Sequence, residues 1–403
     1  MNTPRIIIFS GKGGVGKTTL ALATALQTAA AGLRTIVLSL DQAHSLRDGL
    51  GMTRDKLFVP DPGGVHPVND SLSIQEIDVQ REIEAKWSDI AGYLFSLFKT
   101  TGFSDVVAEE LAMLPGMNEL IGLLYINRYV RDKTYDCIIL DCAPTGESIQ
   151  FIAMPDIIEW YMDKVFFLQR NVARLARPFI KTLSDLPLPE DRYFAAIKKL
   201  FHELKGINTV LFDPSRTTAR LVTNLEKMVV QETKRAFLYF NLFGIHIDAV
   251  YINRVLGREI SDPFFAQWKK LQQQYSREVH RFFYPVPIFE LPLMPQELVG
   301  VERLRQAGDI LYGPDRPAQN VFFKQRSFTI SGEKGAYRLR LFLPFIAKGS
   351  IYLYRKDAEL IIRIGSFKKY FYLPEALKNM EIREARKQDD YLTIYFAKPG
   401  RPE

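Results

Sequence analysis

Cysteine is scarce in this chain of 403 residues, which holds only Cys137 and Cys142. Five positions apart on one apolar run, they cannot form an ordinary disulfide, which excludes a disulfide-stapled secreted scaffold and suits a reducing compartment. On a period of two they face opposite sides of a strand and read as small buried hydrophobes. No Cys-x-x-Cys is present and the five histidines show no ligand spacing, so no zinc is expected. No apolar run approaches the ~18 residues of a membrane span. No leader is visible, because the first strand begins almost at once. The expected location is the cytoplasm, or the plastid stroma for the mature form of an organellar protein.

Charge is also uneven. Net charge is +7, yet residues 319–403 carry 17 Lys and Arg against 9 Asp and Glu, leaving 36 against 37 upstream. A basic C-terminal module suits a transient contact with a membrane surface or another anionic partner, although mixed charges on solvated strands give the same count. The bulk composition, 47% hydrophobic and 25% charged, is that of a soluble globular protein long enough for two or three domains.

The strongest local signal is Gly11-Lys12-Gly13-Gly14-Val15-Gly16-Lys17-Thr18-Thr19, which follows an apolar run over 5–10 and precedes the Ala/Leu-rich stretch 20–31. Strand, glycine loop and helix stand in the order of a phosphate-binding loop, in which backbone N–H groups converge on phosphate at the positive end of a helix. Lys17 is placed to reach the β- and γ-phosphates and Thr18 to ligate Mg²⁺. A second lysine, Lys12, follows the first glycine, where an ordinary P-loop needs none.

Residues 34–40 read as a second buried strand with Asp41 at its carboxyl end, where open α/β sheets place their ligands. There Asp41 can hold the water that attacks the γ-phosphate; a helix-capping aspartate is the alternative. Residues 76–134 are mostly helical by pattern. Another strand over 136–141 ends in Asp141, the place of a Walker B carboxylate that orients the metal's shell by way of water. Cys142-Ala143-Pro144-Thr145-Gly146-Glu147-Ser148 then suits a loop that changes shape with the γ-phosphate.

Together these elements resemble the arsenite-pump (ArsA) and Get/TRC targeting ATPases, which carry GKGGVGKTT, D-P-A-H-S and D-T-A-P-T-G-H-T. Here the three read GKGGVGKTT, DQAHS and DCAPTGES, with Gln42 for the proline and Glu147 for the histidine. Residues 114–119 resemble the family's P-G-M-x-E segment, and residues 217–235, which include Glu232, its E-T block. The resemblance covers residues 5 to about 311. It implies ATP and Mg²⁺ as cofactors, with the whole loop from Gly11 to Thr19 cradling the phosphates. It further implies that Lys12 crosses a dimer interface to act on the partner's nucleotide, like an arginine finger. By the same resemblance Asn253 is expected to contact adenine, Pro292 to fall in the adenine loop, and Glu232 to join the nucleotide site. The zinc-clasping Cys-x-x-Cys of many Get-type members has no counterpart.

Residues 151–215, where the family's clients bind, are rich in aromatic and aliphatic side chains, a pattern that fits a hydrophobic groove and ordinary core equally. After Gly313-Pro314-Asp315-Arg316-Pro317 the period changes to two. Short strands over 337–341, 350–354, 359–364, 367–373 and 391–396 argue a small β-sandwich. Their order resembles the α-crystallin domain of small heat-shock proteins, with Asp390-Tyr391 where a glycine normally precedes the last strand. A crystallin-like tail without the zinc pair resembles the d-type Get paralogue of photosynthetic organisms.

The expected architecture is α/β: a P-loop NTPase with a mostly parallel sheet flanked by helices and a helical insert, plus a C-terminal all-β sandwich. Residues 1–312 form the ATPase, with helical and client-binding segments near 76–134 and 151–215, residues 313–318 a linker, and 319–403 the crystallin-like domain. The expected function is a homodimeric Mg-ATP-hydrolysing switch, with Asp41, Lys12 and Lys17 catalytic, that binds and releases a hydrophobic protein segment. Two alternatives stay open: the motor of an arsenite or other anion pump, and a partitioning ATPase acting on membrane or DNA. One P-loop and two buried cysteines disfavour the first, and the insert and tail disfavour the second. Nucleic acid is not expected as a partner.

Overall fold

The computed structural model describes residues 3–41, 45–52, 64–78, 81–83, 90, 92, 117–161, 191–324, 328–333, 336–344, 346, 348–356, 359–365, 367–373, 377 and 380–398. Residues 42–44, 114–116 and all of 162–190 lie outside them.

Eight strands form the main sheet: β1 (Arg5–Gly11), β2 (Thr35–Ser39), β3 (Val65–Asn69), β4 (Leu72–Glu76), β5 (Cys137–Asp141), β6 (Thr217–Thr223), β7 (His246–Val255) and β8 (Ile288–Pro292). Their order is β3-β4-β2-β5-β1-β6-β7-β8, and every pair is parallel except β3 with β4. Strands β1, β2, β5 and β6 are buried along nearly their whole length, so they read as continuous apolar runs.

Helices cover both faces. On one side α1 (Lys17–Ala30), the short α2 (Leu46–Gly49) and a late C-terminal helix pack with Ile7, Phe9, Val37 and Ile139. On the other lie α3 (Met117–Asp132), α4 (Thr145–Tyr161), α5 (Asp191–Leu204), α6 (Ile207–Leu211), α7 (Lys227–Phe243) and α8 (Ala266–Phe283), packed with Ile6, Ile8, Ile138 and Leu140. The late helix is α9 (Val301–Tyr312). Within the aromatic stretch, Phe151 and Ile152 join the main core, and Phe194 and Ile197 cluster against Ile90. Among the described residues no helix is long and apolar enough to cross a membrane.

Beyond Tyr312 the chain does not swing free at once. Ala318 is buried, its carbonyl and that of Asn320 accept from the Arg220 guanidinium at 2.8 and 3.1 Å, and Phe322 lies 4.9 Å from Phe289. A strap over 318–323 is therefore fastened to the ATPase, inside the range where the sequence suggests a linker and the start of the next domain.

The C-terminal part is all antiparallel. Strands β9 (Phe328–Glu333), β10 (Ala336–Phe342), β14 (Glu381–Gln388) and β15 (Tyr391–Ala397) pair in the order β14-β15-β10-β9; β11 (Ile351–Lys356), β12 (Glu359–Ile364) and β13 (Phe367–Tyr372) form a second sheet. Leu339, Leu341, Leu360, Ile362, Ile394 and Phe396 fill the space between them, as strand alternation requires. Leu242 of α7 is buried in that same cluster. Lys369 lies 5.3 Å from the Phe243 ring and 5.4 Å from Phe212. The sandwich is thus seated on the end of α7.

Candidate nucleotide site

The loop between β1 and α1 owes its shape to glycine. A Cβ at Gly11 would lie 2.4 Å from the Val222 carbonyl oxygen, and one at Gly16 would lie 2.2 Å from Nδ2 of Asn253. Gly14 and Gly16 have φ of 79° and 94°, values costly for a residue with a Cβ. Val15 is buried between them, while Gly13 and Gly14 are exposed. No acidic residue stands in the first turn of α1, so the positive end of that helix is left for an anion. Lys17 is buried, its Nζ 3.5 Å from the Lys12 carbonyl oxygen. Lys12 is half-buried on the loop, and Thr19 lies in the first turn of the helix.

Parallel register brings three strand ends together, since Asp141 pairs with Phe9 of β1 and Ser39 of β2. Asp141 is wholly buried, and the Thr18 hydroxyl donates to its Oδ2 at 2.7 Å. Burial pushes its carboxyl up to about 6; the Thr18 bond and Lys17 oppose this, and the Asp41 charge adds to it. Its Oδ1 has no hydrogen-bond partner among the described residues. A buried carboxylate oxygen without a donor beside a threonine hydroxyl is an oxygen set that fits Mg²⁺. Asp41 follows β2, its backbone N–H donating to the Ser39 hydroxyl at 3.2 Å.

Past Asp141, Pro144 faces Gly13 and α4 starts at Thr145, so residues 142–144 are a short loop running straight into a helix. The Ser148 hydroxyl donates to the Ala143 carbonyl at 2.8 Å. Behind it the Glu119 carboxyl is raised, first by burial and then by the Glu147 charge. Glu147, which stands in place of the family's histidine, thus shares its surroundings with a second acid.

Asn253 stands near the end of β7 with its Nδ2 donating to the Val15 carbonyl at 2.8 Å. Pro292 closes β8 opposite Val255. Beside them opens a cleft of about 550 Å³ lined by Leu225, Val255, Leu256, Lys269, Gln272 and Glu290. On its wall Gln272 accepts from the Leu256 N–H at 2.9 Å. These cleft residues were not identified from the sequence; the apolar Val255-Leu256-Gly257 after Asn253 is the one trace of it there. Glu232 is half-buried on the second turn of α7, and among the described residues no hydrogen bond or ion pair joins it to the loop.

The two cysteines lie on opposite faces, Cys137 in the core under α1 and Cys142 in the other. Burial raises the Cys137 thiol to about 11 and Cys142 further, which makes both inert.

Comparison with known proteins agrees with this geometry. Residues 4–313 match the family model described as anion-transporting ATPase, and residues 334–396 match an HSP20-like domain found in ArsA. An arsenical pump-driving ATPase of Aquifex aeolicus is 41% identical over 98% of this chain and 100% of that protein. One from Chlorobaculum tepidum is 33% identical over 97% of this chain and 96% of that protein. The ATPase GET3 of Mycosarcoma maydis is 26% identical over 78% of this chain and 92% of that protein. With a glycine loop, a Thr18–Asp141 hydrogen bond and an appended sandwich, the chain belongs to the ArsA ATPase family and is an ATPase carrying an HSP20-like C-terminal domain.

Proposed function

We propose that this ATPase is a homodimeric switch that couples Mg-ATP hydrolysis to binding and release of a hydrophobic protein segment. The observation that carries the reading is the meeting of Thr18, Asp141 and the end of β2 beside a loop with two lysines. Thr18 and Asp141 would hold Mg²⁺, which when bound neutralises charge on the β- and γ-phosphates. Lys17 and the loop N–H groups bind the phosphates, and the cleft beside Asn253 receives the base. Asp41 orients the attacking water and takes its proton. Lys12 acts across the dimer on the partner's nucleotide. ATP then shifts the dimer only by as much as it binds one state better, which makes Lys12 and the two switch loops the coupling elements.

A second reading, a pump-driving motor, has support in the names of two relatives at 33% identity or above. The buried cysteines give no thiolate for a metalloid, which favours the protein client. Asp41→Asn decides the chemistry: ATP affinity near normal with turnover down on the order of 10²–10⁴-fold. The ATP-held Asp41→Asn dimer should co-purify with hydrophobic polypeptide. Wild-type kcat in that variant overturns Asp41 as base, and a monomeric ATP-bound form overturns the switch.

A further inference from the structure

One sheet surface of the C-terminal domain takes part in neither the nucleotide site nor the seat on α7. Antiparallel register across β11, β12 and β13 sets Tyr352 opposite Arg363 and Arg363 opposite Lys368, with Tyr354 opposite Ile361 and Lys356 opposite Glu359. Leu353, Leu360 and Ile362 turn inward to the core, so by alternation the intervening residues face out. Tyr352 and Tyr354 are 51% and 49% exposed, and Lys356, Arg363 and Lys368 are exposed. The Arg363 guanidinium lies 5.6 Å from the Tyr352 ring. Among the described residues three cations share the face with one half-buried acid, Glu359. Among the described residues no ion pair neutralises Lys356, Arg363 or Lys368.

Flat rings interleaved with cations that no described acid neutralises suit a polyanion that carries planar groups: rings take the bases by stacking, and cations take the phosphates. Two observations favour a flexible strand over an anionic bilayer. The face has no protruding Leu, Phe or Trp among its described residues to enter hydrocarbon. The opposite sheet carries cations too: Arg338 and Arg340 are exposed, with Arg340 3.7 Å over the Tyr391 ring, while Arg386 is paired with Glu384. A planar membrane meets one face of a sandwich at a time, whereas a strand can follow both. Composition alone gives no such partner; the pairing register does.

We propose that the outer face of β11, β12 and β13 binds single-stranded nucleic acid, with Tyr352 and Tyr354 stacking on bases and Lys356, Arg363 and Lys368 holding phosphates. The test uses the full chain and labelled oligo-dT and oligo-rU of equal length, followed by fluorescence anisotropy. Both salt conditions, about 50 and about 200 mM, are needed, because three phosphate contacts at ~0.7 each predict a log–log slope of about −2. Tyr352→Ala with Tyr354→Ala should weaken binding at least about tenfold, since base stacking is lost. The paired Phe variants should keep it within about threefold, because stacking needs the ring and not the hydroxyl. Lys356→Gln with Lys368→Gln should flatten the salt slope. ATP turnover and melting temperature should match wild type throughout. Preference between oligo-dT and oligo-rU identifies the source. Absence of binding at low salt, or Ala variants that bind like wild type, overturns the proposal. So does binding confined to phosphatidylserine vesicles and lost in the same variants.

Discussion

The Asn253 side chain donates to the Val15 carbonyl oxygen at 2.8 Å, tying the end of β7 to the phosphate loop across 238 residues of sequence. Its own oxygen accepts from the Arg254 N–H at 2.9 Å, and Arg254 has a φ of 56°. Both ends of the amide are thus engaged by backbone, and Gly16 leaves room for it. Asn253 is set up as a brace for the loop. Removing a buried hydrogen bond of this kind costs roughly 1 kcal/mol, so Asn253→Ala should weaken ATP and tripolyphosphate alike by about fivefold. Calorimetric titration of both ligands checks it. A loss confined to ATP would assign the residue to the base instead.

The strap after α9 fixes where the ATPase ends. Arg220 is wholly buried, 3.4 Å from Asp248, and its remaining donors go to the carbonyls of Ala318 and Asn320 and to the Tyr312 hydroxyl at 3.2 Å. That hydroxyl also meets Thr24 of the P-loop helix at 2.6 Å. Cutting after Tyr312 removes the carbonyls and leaves a buried cation short of partners, a loss on the order of 3 kcal/mol. Cutting after Lys324 keeps them. The longer truncate should remain a folded ATPase, while the shorter should melt several degrees lower. Equal melting temperatures would remove the strap from the ATPase.

Strong local patterns made much of this legible. The glycine loop, the runs ending at Asp41 and Asp141, and the tail strands at 359–364 and 391–396 are visible because buried strands are continuous and half-buried ones alternate. Strand β14 escaped notice, since Glu381 to Gln388 is a charged edge whose exposed residues hide the alternation. The turn before β15 lacks the usual glycine, and Asp389 takes its left-handed conformation at φ 48°. Pro314 and Pro317 punctuate the chain locally, so the sequence suggests a linker over 313–318 and gives the rest of the strap to the next domain. What holds it, Arg220, lies about a hundred residues away, and no local pattern carries that contact.

Seating of the sandwich rests on α7. Leu242 belongs to the ATPase helix yet is buried in the sandwich core, and Phe342 of β10 lies 6.1 Å from Phe237. Leu242→Ala should cost roughly 2–5 kcal/mol, felt first in the C-terminal domain. Hydrogen exchange should show protection falling in β10 and β12 while ATP turnover stays close to wild type. Protection unchanged in those strands would mean that the sandwich stands without α7.

His246 is expected to make the strap pH-sensitive. It is buried at the start of β7, its ring stacks on Phe323 at 5.9 Å, and Nε2 is hydrogen-bonded to the Phe323 carbonyl. The neutral ring donates that bond. Burial, the largest cause, holds its pKa below the usual 6.5, and the Arg5 charge adds to this; the Phe323 bond and Asp248 oppose it. Arg5 stays charged in this range, since burial lowers it only to about 10. With the folded value depressed, the unfolded chain binds more protons as pH falls below about 6.5, so stability is present above that value and is lost through the folded one. Melting temperature between about pH 7 and about pH 5 should therefore drop more steeply in wild type than in His246→Gln, which cannot take up the proton. Identical slopes in the two proteins would place the titrating group elsewhere.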